Sequence, residues 1–206
     1  MSDASQFRLP QDLRASVDTE IAAHPAGELF LNPSLQPLRD KWAAARFGLG
    51  YEQFVSPCEI SVNASSDRKD VDFLLRAHGR IFCFQTAETM EPGRKRSDEY
   101  RIVRAQGVLT KLVDPEIGRK FGPNWIANTI QRKVAKNYAG AESLELLVYA
   151  NFMGRDLTYE GCREAASPFQ RSFASIWVVA DYFLGSLFSR PDIGEMYGWG
   201  KFLEHA

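Results

Sequence analysis

Val71-Asp72-Phe73-Leu74-Leu75-Arg76, then Ala77-His78-Gly79, then Arg80-Ile81-Phe82-Cys83-Phe84-Gln85-Thr86-Ala87-Glu88 is the stretch that decides the fold class. Two apolar runs flank a turn signal centred on Gly79, which predicts a β-hairpin. Asp72 opens the first strand, and the polar group Gln85-Thr86-Ala87-Glu88 closes the second. In an antiparallel pair the start of one strand lies beside the end of the next. Asp72 and the Gln85/Glu88 end are therefore expected at one edge of the sheet.

Toward the N-terminus, Leu13, Val17 and Ile21 recur at helical spacing, and Pro10 suits a first turn, so a helix is expected from Pro10 to His24. A second helix is expected from Asn32-Pro33-Ser34 to about Phe47, with Leu35, Leu38, Trp42 and Ala45 as its apolar stripe and Gly48 and Gly50 as its stop. Glu59-Ile60-Ser61-Val62 reads as a strand. Beyond the hairpin, Ser97 is a credible cap for a helix to about Ala105, and Pro123-Asn124-Trp125 opens another to about Tyr138. Leu144 to Phe152 reads as a buried strand, Leu157 to Ala166 as a short helix, and Ser175 to Phe183 as a further buried strand. The tail is rich in Gly and aromatic residues, and Phe202 and Leu203 are expected to pack it on the body. No repeat or Gly/Ser linker divides the chain. The expectation is one α/β domain over 1–206, a mixed central β-sheet with flanking helices. Within it, 1–31 forms an N-terminal extension and helix, 32–152 the core, and 153–206 a C-terminal helix, strand and tail.

At 206 residues and 45% hydrophobic content the chain can bury a substantial core. A net charge of -1 gives no overall attraction for a polyanion, so a nucleic-acid surface has to be local. Basic residues cluster at Arg94-Lys95-Arg96 and Arg132-Lys133. The three cysteines, Cys58, Cys83 and Cys162, carry no metal-ligand spacing, which favours a reducing, cytoplasmic setting. The first residues lack the apolar core of a signal peptide, and the run from Ile176 to Phe188 is too short to span a bilayer, so no membrane association is expected. No P-loop or dinucleotide fingerprint is present.

The run from about Ser34 to Arg104 resembles the core of the PD-(D/E)XK nuclease superfamily, the restriction-endonuclease-like fold, in which a helix, a three-stranded meander, a helix and a further strand (α-β-β-β-α-β) follow in order. In that family an Asp opens the second strand, and an acid-x-Lys triplet closes the third. The resemblance implies that Asp72 is the first metal ligand and that Gln85-Thr86-Ala87 occupies the triplet. It implies Mg²⁺ or Mn²⁺ as cofactor and DNA as the partner. Hard divalent ions take oxygen ligands, often one or two carboxylates with water and substrate phosphate completing the set. The metal neutralises charge at the phosphate and generates a nucleophile.

Gln85 and Ala87 depart from that triplet. Gln85 offers an amide oxygen where a carboxylate is expected, and Ala87 offers nothing where Lys is expected. Glu88 is the nearest replacement carboxylate, with Glu59 and Asp70 as further acids nearby in the chain. Lys95, with Arg94 and Arg96 beside it, is the candidate cation. Arg94, Lys95, Arg96, Arg101 and Arg104 together are the candidate phosphate contacts. The competing reading of the same residues is bland: Asp72 caps a turn or pairs with Arg76 or Lys69, and the basic run is a solvated loop. Two functional readings therefore remain open, a metal-dependent nuclease and a catalytically inactive nuclease-fold protein that binds nucleic acid or a protein partner. A protein-interaction domain, a homo-oligomer included, is the reading from a different class.

Overall fold

The structure, a computed structural model, describes residues 7–25, 28–62, 70–95, 98, 101–102, 105, 115–138, 140–152 and 156–202. It is a mixed α/β architecture built on a seven-stranded sheet whose spatial order follows the chain, β1 to β7. The strands are β1 (Glu59–Ser61), β2 (Phe73–Ala77), β3 (Arg80–Thr89), β4 (Glu145–Ala150), β5 (Ser175–Ala180), β6 (Phe183–Phe188) and β7 (Gly200–Lys201). β1, β2 and β3 form an antiparallel meander; β3, β4 and β5 run parallel; β6 and β7 return antiparallel.

The hairpin forms as expected, with Phe73 opposite Phe84 and Ala77 opposite Arg80. His78 and Gly79 both have positive φ, 51° and 70°, the backbone that lets a two-residue turn follow the twist of the strands. β3 outruns β2. From Phe84 onward it pairs with β4 on one side, and beyond Phe84 no strand among the described residues lies beside its β2-facing edge.

Helices α1 (Pro10–Ala22), α2 (Glu28–Leu31), α3 (Gln36–Phe54), α4 (Pro115–Val134) and α5 (Tyr159–Ala166) cover the two faces. The strands alternate, and each face buries its own core. Phe73, Leu75, Phe82, Phe84, Leu147 and Trp177 pack with Leu13, Val17 and Phe47 of α1 and α3. Ala87, Leu146, Val148, Ile176 and Val178 pack with Ile126, Ile130 and Cys162 of α4 and α5. Burial on both faces explains why β4 and β5 read as continuous apolar runs.

Three expectations need correction. Gly48 and Gly50 do not stop the second helix; α3 runs through both to Phe54. A β-carbon on Gly48 would lie 2.3 Å from Ile60, and one on Gly50 would lie 3.0 Å from Phe202, so the glycines admit close neighbours. Pro123 does not open a helix; it sits inside α4, which begins at Pro115. Close packing against α5 holds this region together, because a β-carbon on Gly122 would meet Leu157 at 2.5 Å and one on Gly161 would lie 3.5 Å from the Pro123 ring. Finally, the apolar run after Ser175 is two strands, not one. Asp181 takes a positive φ of 48° and the chain turns back into β6. Phe202 is fully buried, as expected of the tail, while Leu203 lies outside the described residues. Asp98, Arg101, Ile102 and Ala105 are helical, in line with the expected helix there. Among the described residues no helix is long and apolar enough to cross a membrane.

Candidate functional site

The site is built where β2 ends and β3 continues. The Thr86 backbone N–H faces the side that β2 has vacated, and an unpaired buried N–H is costly. Asp72, the residue just before β2, fills the place: its Oδ2 accepts from the Thr86 N–H at 2.6 Å and from Gln85 Nε2 at 2.9 Å. Its own N–H donates to the Phe84 carbonyl at 2.8 Å. Both side-chain bonds fall on Oδ2 and neither uses Oδ1.

Gln85 points to the α4 side with Ala87 and is 5% exposed. With Nε2 committed to Asp72, its Oε1 is buried and has no hydrogen-bond partner among the described residues. A buried amide oxygen without a donor is destabilising on its own.

Two residues that the sequence reading had not connected to this edge complete the group. Asp40, on α3, accepts from Gln36 Nε2 at 2.8 Å. Burial and then the Asp72 charge push its pKa up to about 6 from the ordinary 3.8, against the Gln36 hydrogen bond and the charges of Arg39 and Lys133. Lys133, on α4, has its pKa lowered by burial, while Asp72 and Asp40 both favour its charged form. One helix from each side of the sheet thus brings a titratable group into the field of Asp72. Lys133 followed Arg132 as one of two basic clusters in the sequence, and Asp40 sits one turn after Gln36 on a helix otherwise read for its apolar stripe.

The other expected residues are distributed as follows. Glu88 is exposed, and its Oε1 accepts from Asn151 Nδ2 at 2.7 Å. Arg94 donates to the Asn151 carbonyl at 2.6 Å. Lys95 is exposed. Arg101 pairs with Asp98 at 2.9 Å on an exposed surface. Arg96 and Arg104 lie outside the described residues. Glu59 pairs with Arg76 at 2.5 Å, so Arg76 serves β1 and not Asp72. Asp70 is half-buried at the approach to β2.

Two concavities open at this end of β3, and both are lined by Thr86 and Glu88. On the α3 side the walls include Trp42, Tyr149, Arg39 and Asp40. On the α4 side they include Thr129, Arg132, Lys133 and Lys136. Among the described residues, no group of three or more His, Cys, Asp or Glu side chains could hold a metal. The donors at hand are two carboxylates, Asp40 and Asp72, and the unpartnered Gln85 amide oxygen. Oxygen donors of this kind suit a hard ion that keeps several waters, as Mg²⁺ does, better than Zn²⁺. Comparison with protein-family models, curated proteins and solved structures finds no match to this chain.

Proposed function

We propose that this chain is a PD-(D/E)XK-type protein that hydrolyses phosphodiester bonds of nucleic acid, DNA first, with Mg²⁺ or Mn²⁺. The observation that carries the reading is the Asp72–Gln85 pair. A carboxylate and a buried, donorless amide oxygen sit side by side at the end of β2, in the field of a second carboxylate and a lysine. The order of elements supports it: helix α3, the meander β1–β2–β3, helix α4 and the parallel strand β4 follow the succession of the nuclease core.

Asp72 Oδ1, the Asp40 carboxylate and Gln85 Oε1 would hold the ion. A bound divalent ion supplies charge neutralisation at the phosphate and an activated water. Lys133 takes the role that Ala87 leaves empty. Burial lowers its pKa while both acids favour the ammonium, and in its charged form it would orient a phosphate oxygen or the attacking water. Lys95 becomes the weaker choice for that cation, because it is exposed. The Thr86 N–H and Gln85 Nε2 fix Asp72 in place, so the ligand is pre-positioned before any ion arrives.

The second reading, a nuclease fold retained for binding, draws on the neutral Gln85 and the missing Lys at Ala87. One assay separates the two. Wild type is expected to cleave an oligonucleotide with Mn²⁺ or Mg²⁺ and not with EDTA, and Asp72→Asn, which can keep the bond to the Thr86 N–H, is expected to lose cleavage. Wild type that binds but never cleaves selects the second reading. Cleavage untouched by Asp72→Asn removes the site assigned here.

A further inference from the structure

We infer that the site takes a single-stranded polynucleotide, with one unpaired base in the Trp42/Tyr149 pocket and the adjoining phosphates on α4. This rests on the proposed function and narrows its substrate. The inference follows from the unlike chemistry of the two concavities that meet at Thr86 and Glu88.

The α4 lip is cationic. Arg132 and Lys133 stand in the last turn of α4 and Lys136 in the turn that follows it, so the end of the helix presents three basic side chains to the groove. Arg132 is held by a bond to Thr129 Oγ1 at 2.8 Å. Such a lip suits a sugar–phosphate chain.

The α3 lip is of another kind. Trp42 and Tyr149 meet edge to face with centroids 5.1 Å apart and, with Leu29 and Ala43, give apolar walls. The charged groups there are mainly acidic, Asp40 and Glu88. Arg39, which also lines it, is turned to its own chain: it donates to the Gln36 side chain at 2.6 Å and to the Leu29 and Asn32 carbonyls, while Arg46 and Arg14 lie over the Trp42 ring at 4.8 and 6.0 Å. A duplex laid across the end of β3 would bring a second phosphate backbone against this acidic lip, which repels it. A single strand meets the basic lip with its phosphates and leaves its bases free to turn the other way. An aromatic wall with polar groups at its rim suits the face and edge of a base, and a base reaches such a pocket only when unpaired.

The test uses fluorescein-labelled oligo-dT, oligo-U and a duplex of equal length, titrated by anisotropy in EDTA so that nothing is cleaved. The single strands are expected to bind roughly tenfold tighter than the duplex. They should also quench tryptophan emission in wild type, and Trp42→Phe, which keeps an aromatic ring against Tyr149, should lose most of that quench. Arg132→Gln with Lys136→Gln should weaken single strand and duplex by the same factor and flatten the salt dependence of both. The oligo-dT and oligo-U arms report which sugar is preferred, and a lead for either supports the inference. Duplex binding equal to single-strand binding overturns it, as does single-strand binding without a quench; both leave the proposed nuclease site standing. No binding of any probe at low salt overturns the nucleic-acid reading itself.

Discussion

Asp40→Asn is expected to make the protein more stable at neutral pH while damaging its function. The carboxyl of Asp40 is pushed from 3.8 to about 6, chiefly by burial and then by the Asp72 charge. A carboxyl whose folded pKa is raised binds its proton more tightly in the fold than in the open chain. Its ionisation therefore opposes folding, with the full cost present above about pH 6 and none below about 3.8. A rise of that size converts to roughly 3 kcal/mol, and partial contact with solvent reduces it to roughly 1–2 kcal/mol. Asparagine can keep the bond from Gln36 Nε2 and removes the charge. Urea unfolding of wild type and Asp40→Asn should show the variant ahead by about 1–2 kcal/mol at pH 8, with the gap closing by pH 4. Saturating Mn²⁺ should narrow the gap at pH 8, since an ion held by the wild-type carboxylate offsets its ionisation cost. An Asp40→Asn protein that is less stable at pH 8, or whose gap is the same at pH 4, refutes the electrostatic account of the site.

Lys133→Met should fold at least as well as wild type near neutrality, because burial lowers the pKa of Lys133 and its charge costs stability until the pH passes the ordinary 10.5. Metal-dependent cleavage should fall by roughly 10²–10⁴-fold, measured as single-turnover rate. Far from the site, Glu145 is fully buried and is held by Arg190 at 2.7 Å and by Ser175. Arg190→Ala strands that carboxyl, whose pKa burial already raises. Because Arg190 is 39% exposed, the loss should be roughly 2–3 kcal/mol by urea unfolding at neutral pH, less than for a wholly buried pair, and it should shrink as the pH falls. Gly185→Ala would place a β-carbon 2.6 Å from two atoms of the Trp199 ring, which is anchored by its bond to the Leu157 carbonyl at 2.8 Å. A loss of about 1–3 kcal/mol is expected, with a shift in tryptophan emission.

The hairpin was legible because local chemistry specifies it: an apolar run on each side and a His78-Gly79 turn that takes positive φ. β4 was legible from its unbroken apolar run. Where local and tertiary signals disagree, sequence reading fails in a consistent way. Gly48, Gly50 and Pro123 look like breakers, yet each sits where another element packs close, and packing outweighs propensity. β6 was hidden because β5 and β6 are both buried, so the apolar pattern does not mark the turn at Asp181. Half of the candidate site was readable for the same reason as the hairpin: Asp72 and Gln85 meet through strand pairing. Asp40 and Lys133 meet them only through the packing of α3 and α4 on opposite faces of the sheet. Nothing in their neighbours along the chain records that encounter.

The central claim is that Asp40, Asp72 and Gln85 form one site for a divalent ion. Mn²⁺ titration followed by electron paramagnetic resonance tests it most directly. The account predicts one bound Mn²⁺ per wild-type chain, weakened as the pH falls through about 6 where Asp40 takes up its proton, and lost in Asp72→Asn. Wild type that binds no Mn²⁺ at pH 8, or an Asp72→Asn protein that binds it unchanged, would contradict the claim.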